Sequence, residues 1–463
     1  MNYSVVGLGK LGCSMAAAIA SRGHEVVGHD VAAEIVDRIN AGLAPVAETG
    51  LQDLITAHRE RLRATHSLEE AIHDSDVTFV VVPTPSDDAG AFDLTFAARA
   101  FAAIGAALAS KWEPHTIVLT STVLPGSTRY GLIPVLEEAA GRAVGDGIGV
   151  GYSPAFIALG SVIRDFLHPD FLLIGESDET AGDTLERAYR EIMPQAPPVR
   201  RMSLENAELT KIAVNTFVTM KISFANMIAS LCERIPGGDV DVVTAALGAD
   251  RRIGRAYLTG ALGYGGPCFP RDNRALSYIA RHLESTAPLA EATDTVNRAL
   301  PPRVLGRLAP RLATARAVGV LGLAYKPDTP VLEASQSVDI ARAVAATGVR
   351  VLAHDPLAGP EAAALLGGGV QLLEDVHDVV SQADIVLITT ADPAYRALRA
   401  DDFRRNGSRV LVFDFWRVLR QDLAECEDIE YIAVGLTDDD TDRSDRLRAL
   451  WTAPAESDPS QHR

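Results

Sequence analysis

The chain opens on an apolar run, YSVVGLG at residues 3–9, followed by KLGCSMAAAIASRG, whose small helix-forming residues stop at Gly23. An unbroken short run rich in β-branched residues predicts a strand buried on both faces, and the segment behind it predicts a helix. HEVVGHD (24–30), DVTFVVVP (76–83) and TIVLTSTV (116–123) read as further strands, each separated from its predecessor by a stretch with helical character. Strands alternating with helices predict βαβ units and a parallel sheet. The same order returns later: AVGVLGLA (317–324), VRVLAHDP (349–356), ADIVLITT (383–390) and SRVLVFDF (408–415) echo the four earlier runs in sequence. A second sheet of the same kind follows from that repetition.

Between the two patterns, from residue 203 to about 300, the periodicity changes. SLENAELTKIAVNTFVTMKISFANMIASLCERI spaces its apolar residues as a helix does, with neither proline nor glycine, over a span longer than an ordinary globular helix. Such a helix needs partners along its length, between domains or across a dimer. The predicted fold class is α/β: two Rossmann-like doubly wound parallel-sheet domains joined by a long central helix and a helical middle domain. The expected boundaries are 1–200, 201–300 and 301–450, with a loose tail at 451–463.

A length of 463 residues fits this division, and 47% hydrophobic with 22% charged residues is the make-up of a folded globular chain. Sixty-one acidic against 43 basic residues give a net charge of −18, which repels phosphate backbones and argues against a nucleic-acid partner. No run of about 18 apolar residues is read as spanning a bilayer. MNYSVVGLG lacks the basic start of a secretion signal, so the expectation is a cytoplasmic protein with no membrane partner. The cysteines, Cys13, Cys232, Cys268 and Cys426, follow no CxxC spacing and the histidines no ligand spacing, so neither a disulfide framework nor a metal is expected.

GLGKLG places Gly7, Gly9 and Gly12 in the GxGxxG spacing after a strand and at the opening of a helix, with Leu11 inside the motif and Asp30 closing the next strand. Gly7 permits a tight turn, Gly9 a close approach of pyrophosphate, and Gly12 close packing of the helix. Asp30 would accept from a ribose and repel a 2′-phosphate, which favours NAD over NADP. In the second pattern the corresponding residues are Gly322, Ala324 and Pro327, so the third glycine is lost and a dinucleotide is not expected to bind there in the same way.

GYGGPCFPRD (263–272) sets Cys268 behind a glycine pair and a proline and ahead of Pro270, a residue suited to the first turn of a helix. A helix beginning there would place its positive end beside the sulfur and favour thiolate. Asp272 lies one turn further on. Lys211 and Asn215, four apart in LTKIAVN, share one helix face and suit an oxyanion.

These stretches resemble the UDP-glucose/GDP-mannose dehydrogenase family over residues 1 to about 420: GYGGPCFPRD most closely, with NAELTK, RIGRAYL, STVLPGST, GSVIRDF and LAYKPDT beside it. The resemblance implies a nucleotide-sugar 6-dehydrogenase with NAD as cofactor, an NAD-binding first domain, a catalytic helical middle and a nucleotide-sugar-binding last domain. It implies Cys268 as nucleophile, Lys211 and Asn215 as oxyanion donors, and Asp272 with Thr122 as water-positioning residues. It places Thr84, Ser121 and Thr122 at the cofactor, and Arg252, Tyr257, Tyr264, Gly265 and Lys326, with Lys211 and Asn215, at the substrate. Arg252 would come from the neighbouring subunit of a homodimer joined through the central helices.

The chain also departs from the family. SPAFIALG replaces a segment with two carboxylates and an arginine by Ala155, Leu159 and Ala158; Glu333 stands for an arginine near the cofactor, and Trp416 for a substrate arginine, with Arg417 adjacent as its substitute. Three functions are compatible: a four-electron dehydrogenase making the uronic acid, a two-electron dehydrogenase that stops earlier or takes another alcohol, and a non-catalytic nucleotide-sugar-binding homologue.

Overall fold

The computed structural model describes residues 1–193, 195–405, 409–437 and 441–452; the tail expected at the end of the chain falls, from residue 453 on, outside them. The chain forms two compact units, Met1–Thr216 with Arg271–Ala287 and Phe217–Pro270 with the chain from Pro288 onward.

The first unit holds eight strands: β1 (Tyr3–Val6), β2 (Val26–His29), β3 (Leu62–Thr65), β4 (Val77–Val80), β5 (His115–Leu119), β6 (Ile148–Tyr152), β7 (Leu172–Glu176) and β8 (Val199–Ser203). They lie in the order β3-β2-β1-β4-β5-β6-β7-β8. β1 to β6 run parallel, whereas β7 pairs antiparallel with β6, so β7 and β8 extend the sheet in the reverse direction. β1, β4 and β5 are buried along their whole length, because helices cover both faces of the sheet. Tyr3 sits opposite Val26 on one side and Val77 on the other, and its ring stacks on Phe79 at 6.2 Å. Each such buried side chain contributes about 1.5–3 kcal/mol.

The second unit repeats the plan with β9 (Ala317–Leu321), β10 (Arg350–His354), β11 (Val370–Leu372), β12 (Ile385–Ile388), β13 (Val410–Asp414) and β14 (Ile429–Ala433), all parallel in the order β11-β10-β9-β12-β13-β14. Both sheets reverse their winding beside their first strand, between β1 and β4 and between β9 and β12. That reversal opens a crevice at the carboxyl ends of the strands, where ligands of such sheets bind.

The predicted long helix is a continuous helix, Leu204–Cys232, of 29 residues. One sequence expectation is corrected here: this helix is long and apolar enough to cross a membrane, with a mean hydropathy of 1.3 over its most apolar window. The charged residues that interrupt the run are few, and 39% of that window is buried inside the protein.

Candidate active site

In the first unit, β1 ends at Val6 and the helix Lys10–Ser21 begins with Gly9 as its cap, so GLGKLG forms the turn between them. Two of its glycines are dictated by packing: a Cβ on Gly12 would fall on the carbonyl oxygen of Gly7, and one on Gly7, at φ +94°, on that of Val81. A Cβ on Gly9 would meet nothing within 4 Å. Gly9 therefore borders open space at a helix N-terminus, a cradle that fits a pyrophosphate. Leu11 lies half-buried in the first turn. Asp30 follows β2 and is pinned by two backbone donors, Leu8 N–H to Oδ2 at 2.8 Å and Ala32 N–H to Oδ1 at 2.9 Å. Each oxygen keeps a lone pair for a ribose hydroxyl.

Beyond β4 and β5 the loops are stitched together. The Thr84 hydroxyl donates to the Thr122 carbonyl at 2.7 Å, and Ser121 Oγ accepts from Val82 N–H at 3.0 Å while donating to Val82 O at 2.6 Å. Gly7, Gly9, Leu11, Gly12, Asp30, Thr84, Ser121 and Thr122 thus all stand at the carboxyl ends of the adjacent strands β2, β1, β4 and β5.

Lys211 and Asn215 share a helix face as expected, but each head group has its own acceptor. Lys211 Nζ donates to Ala155 O at 2.9 Å and lies 4.4 Å from the centre of the Phe156 ring. Asn215 Nδ2 donates to Asp272 Oδ2 at 2.6 Å, and Arg271 Nε to Oδ1 of the same buried carboxylate at 3.0 Å. Sequence reasoning missed Glu208. Its Oε2 accepts from Gly126 N–H at 2.6 Å and its Oε1 from Thr128 N–H at 2.8 Å, tying the STVLPGST loop to the long helix. Burial pushes its carboxyl up to about 7 against the pull of those donors. The signal for it was an acidic residue inside an apolar helix, three before Lys211 and so on the same face.

In the second unit, the loop before Cys268 is held by side chains from two other segments. Gly263 N–H donates to Gln336 Oε1 at 2.8 Å, Tyr264 N–H to Asn297 Oδ1 at 2.9 Å, and Asn297 Nδ2 to Tyr264 O at 3.0 Å. Gly266 N–H donates to the carbonyl of Glu333 at 2.9 Å, and the Tyr264 hydroxyl to Asp294 at 2.7 Å. Gly265 is buried against the carbonyl of Ala334. Cys268 is the exposed cysteine of the four, and the helix Phe269–His282 starts at the next residue. Tyr257, at φ +64°, packs edge-on against Phe269 with ring centres 6.4 Å apart. Arg252 is exposed and paired with Asp250 at 2.6 Å. Lys326 Nζ lies 6.0 Å from the Tyr325 ring centre.

Arg417 requires a correction. Offered by the sequence as a substrate ligand, it is 7% exposed and every N–H of its guanidinium has a protein acceptor. Nε and Nη2 bind both oxygens of Asp241 at 2.8 and 3.0 Å; Nη1 reaches the carbonyls of Gly260, Phe415 and Val434, and Nη2 that of Thr259. Nothing remains to bind a sugar nucleotide. Trp416 donates from Nε1 to Thr389 O at 2.8 Å and packs on the core. In this sheet Asp355 takes the Leu323 and Ala324 N–H groups at 2.7 and 2.9 Å; the next helix begins only at Gln336, and the hydroxyl of its cap residue Ser335 donates to Leu323 O at 2.6 Å.

The crevice of the first unit, with a helix-capping GxGxxG turn at the switch point and an aspartate closing the next strand, is that of an NAD-dependent dehydrogenase. Three family models match in sequence: the NAD binding domain of the UDP-glucose/GDP-mannose dehydrogenase family over residues 1–193, its central domain over 205–299 and its UDP binding domain over 319–421. The chain is 35% identical over 416 residues to a UDP-glucose 6-dehydrogenase of Haloferax volcanii, covering 89% of this chain and 96% of that one. It is 32% identical to the GDP-mannose 6-dehydrogenase of Pseudomonas aeruginosa, covering 85% and 92%. The structure of a UDP-glucose dehydrogenase from Pyrobaculum islandicum superposes with a TM-score of 0.83 at 36% identity, covering 94% of this chain and 98% of that one. The chain belongs to the UDP-glucose/GDP-mannose dehydrogenase family. It is an NAD-dependent nucleotide-sugar 6-dehydrogenase, an oxidoreductase acting on CH–OH donors.

Proposed function

We propose that the protein oxidises the C6 primary alcohol of a UDP-glucose-like nucleotide hexose to the uronic acid, with the intermediate covalently held on Cys268. The observation that carries this reading is an exposed cysteine one residue ahead of a helix, on a loop whose backbone Asn297, Gln336 and Glu333 fix. A helix N-terminus favours thiolate, and a fixed loop keeps the sulfur in one place.

When bound, NAD accepts hydride from C6, once for each of the two oxidations. The first leaves an aldehyde, whose carbonyl carbon Cys268 attacks through sulfur to form a thiohemiacetal. Lys211 and Asn215 donate to its oxygen, which carries the developing negative charge. The second oxidation leaves a thioester; Asp272 and Thr122 orient the water that adds to it, the C–S bond breaks, and the thiolate returns as the acid departs. With Ala155 and Leu159 in place of acids, water handling falls to Asp272, Thr122 and Lys211. Arg252, Tyr257, Tyr264, Gly265 and Lys326 bind the nucleotide sugar, and the acidic, free-thiol chain works in the cytoplasm.

A homodimer through the long helix is part of the same proposal. Phe217, Met220, Phe224, Met227 and Leu231 recur at alternating spacings of three and four, and all but the half-buried Met220 are exposed. That repeat is the seam by which helices pair. Phe224→Glu should turn the dimer into a monomer in light scattering, and Arg252, if it serves the neighbouring site, should lose its effect with it.

The test is a screen of UDP-, GDP- and dTDP-hexoses for NADH release, with product masses. Two NADH per sugar and a uronic acid, abolished in Cys268→Ala, support the reading. One NADH per turnover with an aldehyde product would replace it with the two-electron dehydrogenase.

A further inference from the structure

The ring of Tyr325 lies on the glycine pair that leads into Cys268. A Cβ on Gly266, whose φ is +79°, would stand 2.8 Å from Cε2 and 2.9 Å from Cζ of that ring, so its hydroxyl-bearing end covers the backbone two residues before the sulfur. The tyrosine is fixed on its other side. Its N–H donates to Val331 O at 3.1 Å, and Gly265 closes on its Cβ.

Burial, and then negative charge at Cys268 and Tyr257, push the Tyr325 phenol up to about 12. Tyr325 and Cys268 therefore share one neighbourhood, in which negative charge at the sulfur favours the protonated phenol. Lys326 lies beyond the ring face at 6.0 Å. Phe269 packs edge-on against both Tyr257 and Tyr264, with ring centres 6.4 Å apart.

We propose that the Tyr325 hydroxyl donates a hydrogen bond to the Cys268 thiolate and so acts as a positioning residue, holding the sulfur ionised and aimed before C–S bond formation. The thiol proton leaves to solvent and the phenol keeps its own. When carbon bonds to sulfur the negative charge moves to oxygen, and the phenol is released. The proposal rests on Cys268 being the nucleophile.

Tyr325→Phe keeps the ring on Gly266 and removes only the hydroxyl. The experiment is the pH dependence of Cys268 alkylation by iodoacetamide in the full chain, with the labelled cysteine identified by peptide mass. Loss of a hydrogen bond to a charged group should move the midpoint upward by about one pH unit, with an unchanged rate on the alkaline plateau. Coincident profiles for the two proteins, or a lower plateau without a shifted midpoint, overturn the proposal. Acid formation by Cys268→Ala is measured separately: if it persists, the nucleophile reading fails, whereas the alkylation shift still reports on Tyr325.

Discussion

The side-chain amide of Asn215 donates to Asp272 at 2.6 Å, joining the long helix to the first turn of the helix that follows Cys268. Asp272 is fully buried, and Arg271 Nε donates to its other oxygen at 3.0 Å. A buried carboxylate that loses a donor bears the cost of its own desolvation. Asn215→Ala should therefore lower unfolding free energy by about 1.5–3 kcal/mol in urea titrations and reduce kcat, whereas a purely catalytic role would reduce kcat alone.

Gly9 and Gly12 should separate cofactor binding from folding. A methyl on Gly9 enters open space, so Gly9→Ala should keep its Tm while KM for NAD rises at least about tenfold, roughly 1.4 kcal/mol. A methyl on Gly12 meets the Gly7 carbonyl, so Gly12→Ala should lose about 1–3 kcal/mol of stability or more before any kinetic effect is read. Thermal melts beside NAD titrations decide it; equal melts for the two variants would be inconsistent with the packing described.

Asp30 holds the Leu8 and Ala32 N–H groups, and its remaining lone pairs are those proposed to accept from an adenosine ribose. Asp30→Ser removes both the ribose acceptor and the charge that repels a 2′-phosphate. The ratio of kcat/KM for NADP to that for NAD should rise by about 10- to 100-fold, the range of a charged hydrogen bond. An unchanged ratio in initial-rate measurements would remove Asp30 from the ribose.

Arg417 is a structural cation. In Arg417→Met, Asp241 and four carbonyls lose their donors, which should cost about 3 kcal/mol, moderated by the partial exposure of Asp241. The folded fraction should keep its KM for the nucleotide sugar. A raised KM at unchanged stability would return Arg417 to the substrate site.

The central strands were legible because β1, β4, β9 and β12 are buried on both faces and read as continuous apolar runs. β3, LRAT, and β11, VQL, lie at sheet edges, are three or four residues long and mix exposed with buried positions, so they carry too little period to stand out. The GxGxxG turn and the cysteine loop were legible because glycine and proline fix backbone geometry locally. Glu208, Tyr325 and Arg417 were not: their roles follow from partners far along the chain, such as Gly126 for Glu208 and Asp241 for Arg417, which spacing does not reveal. The hydropathy of the long helix was misjudged because Glu205, Glu208, Lys211 and Lys221 crowd its first two-thirds and mask the apolar remainder.

Glu208 gives the fold a dependence on pH. Its carboxyl moves from an ordinary 4.5 in the unfolded chain to about 7 in the folded one, through burial. Between those values the folded state binds more protons, so this group's contribution to stability falls as pH rises from about 4.5 to 7 and is constant outside that window. The full shift corresponds to on the order of 3 kcal/mol. Glu208→Gln keeps an acceptor for one of the Gly126 and Thr128 N–H groups but sets an amide N–H against the other. The variant should be less stable than the parent at pH 5, and the difference should narrow towards pH 7 as the parent takes on its buried charge. Urea midpoints at half-unit intervals across that range test this, and parallel curves for the two proteins would show that Glu208 does not titrate there.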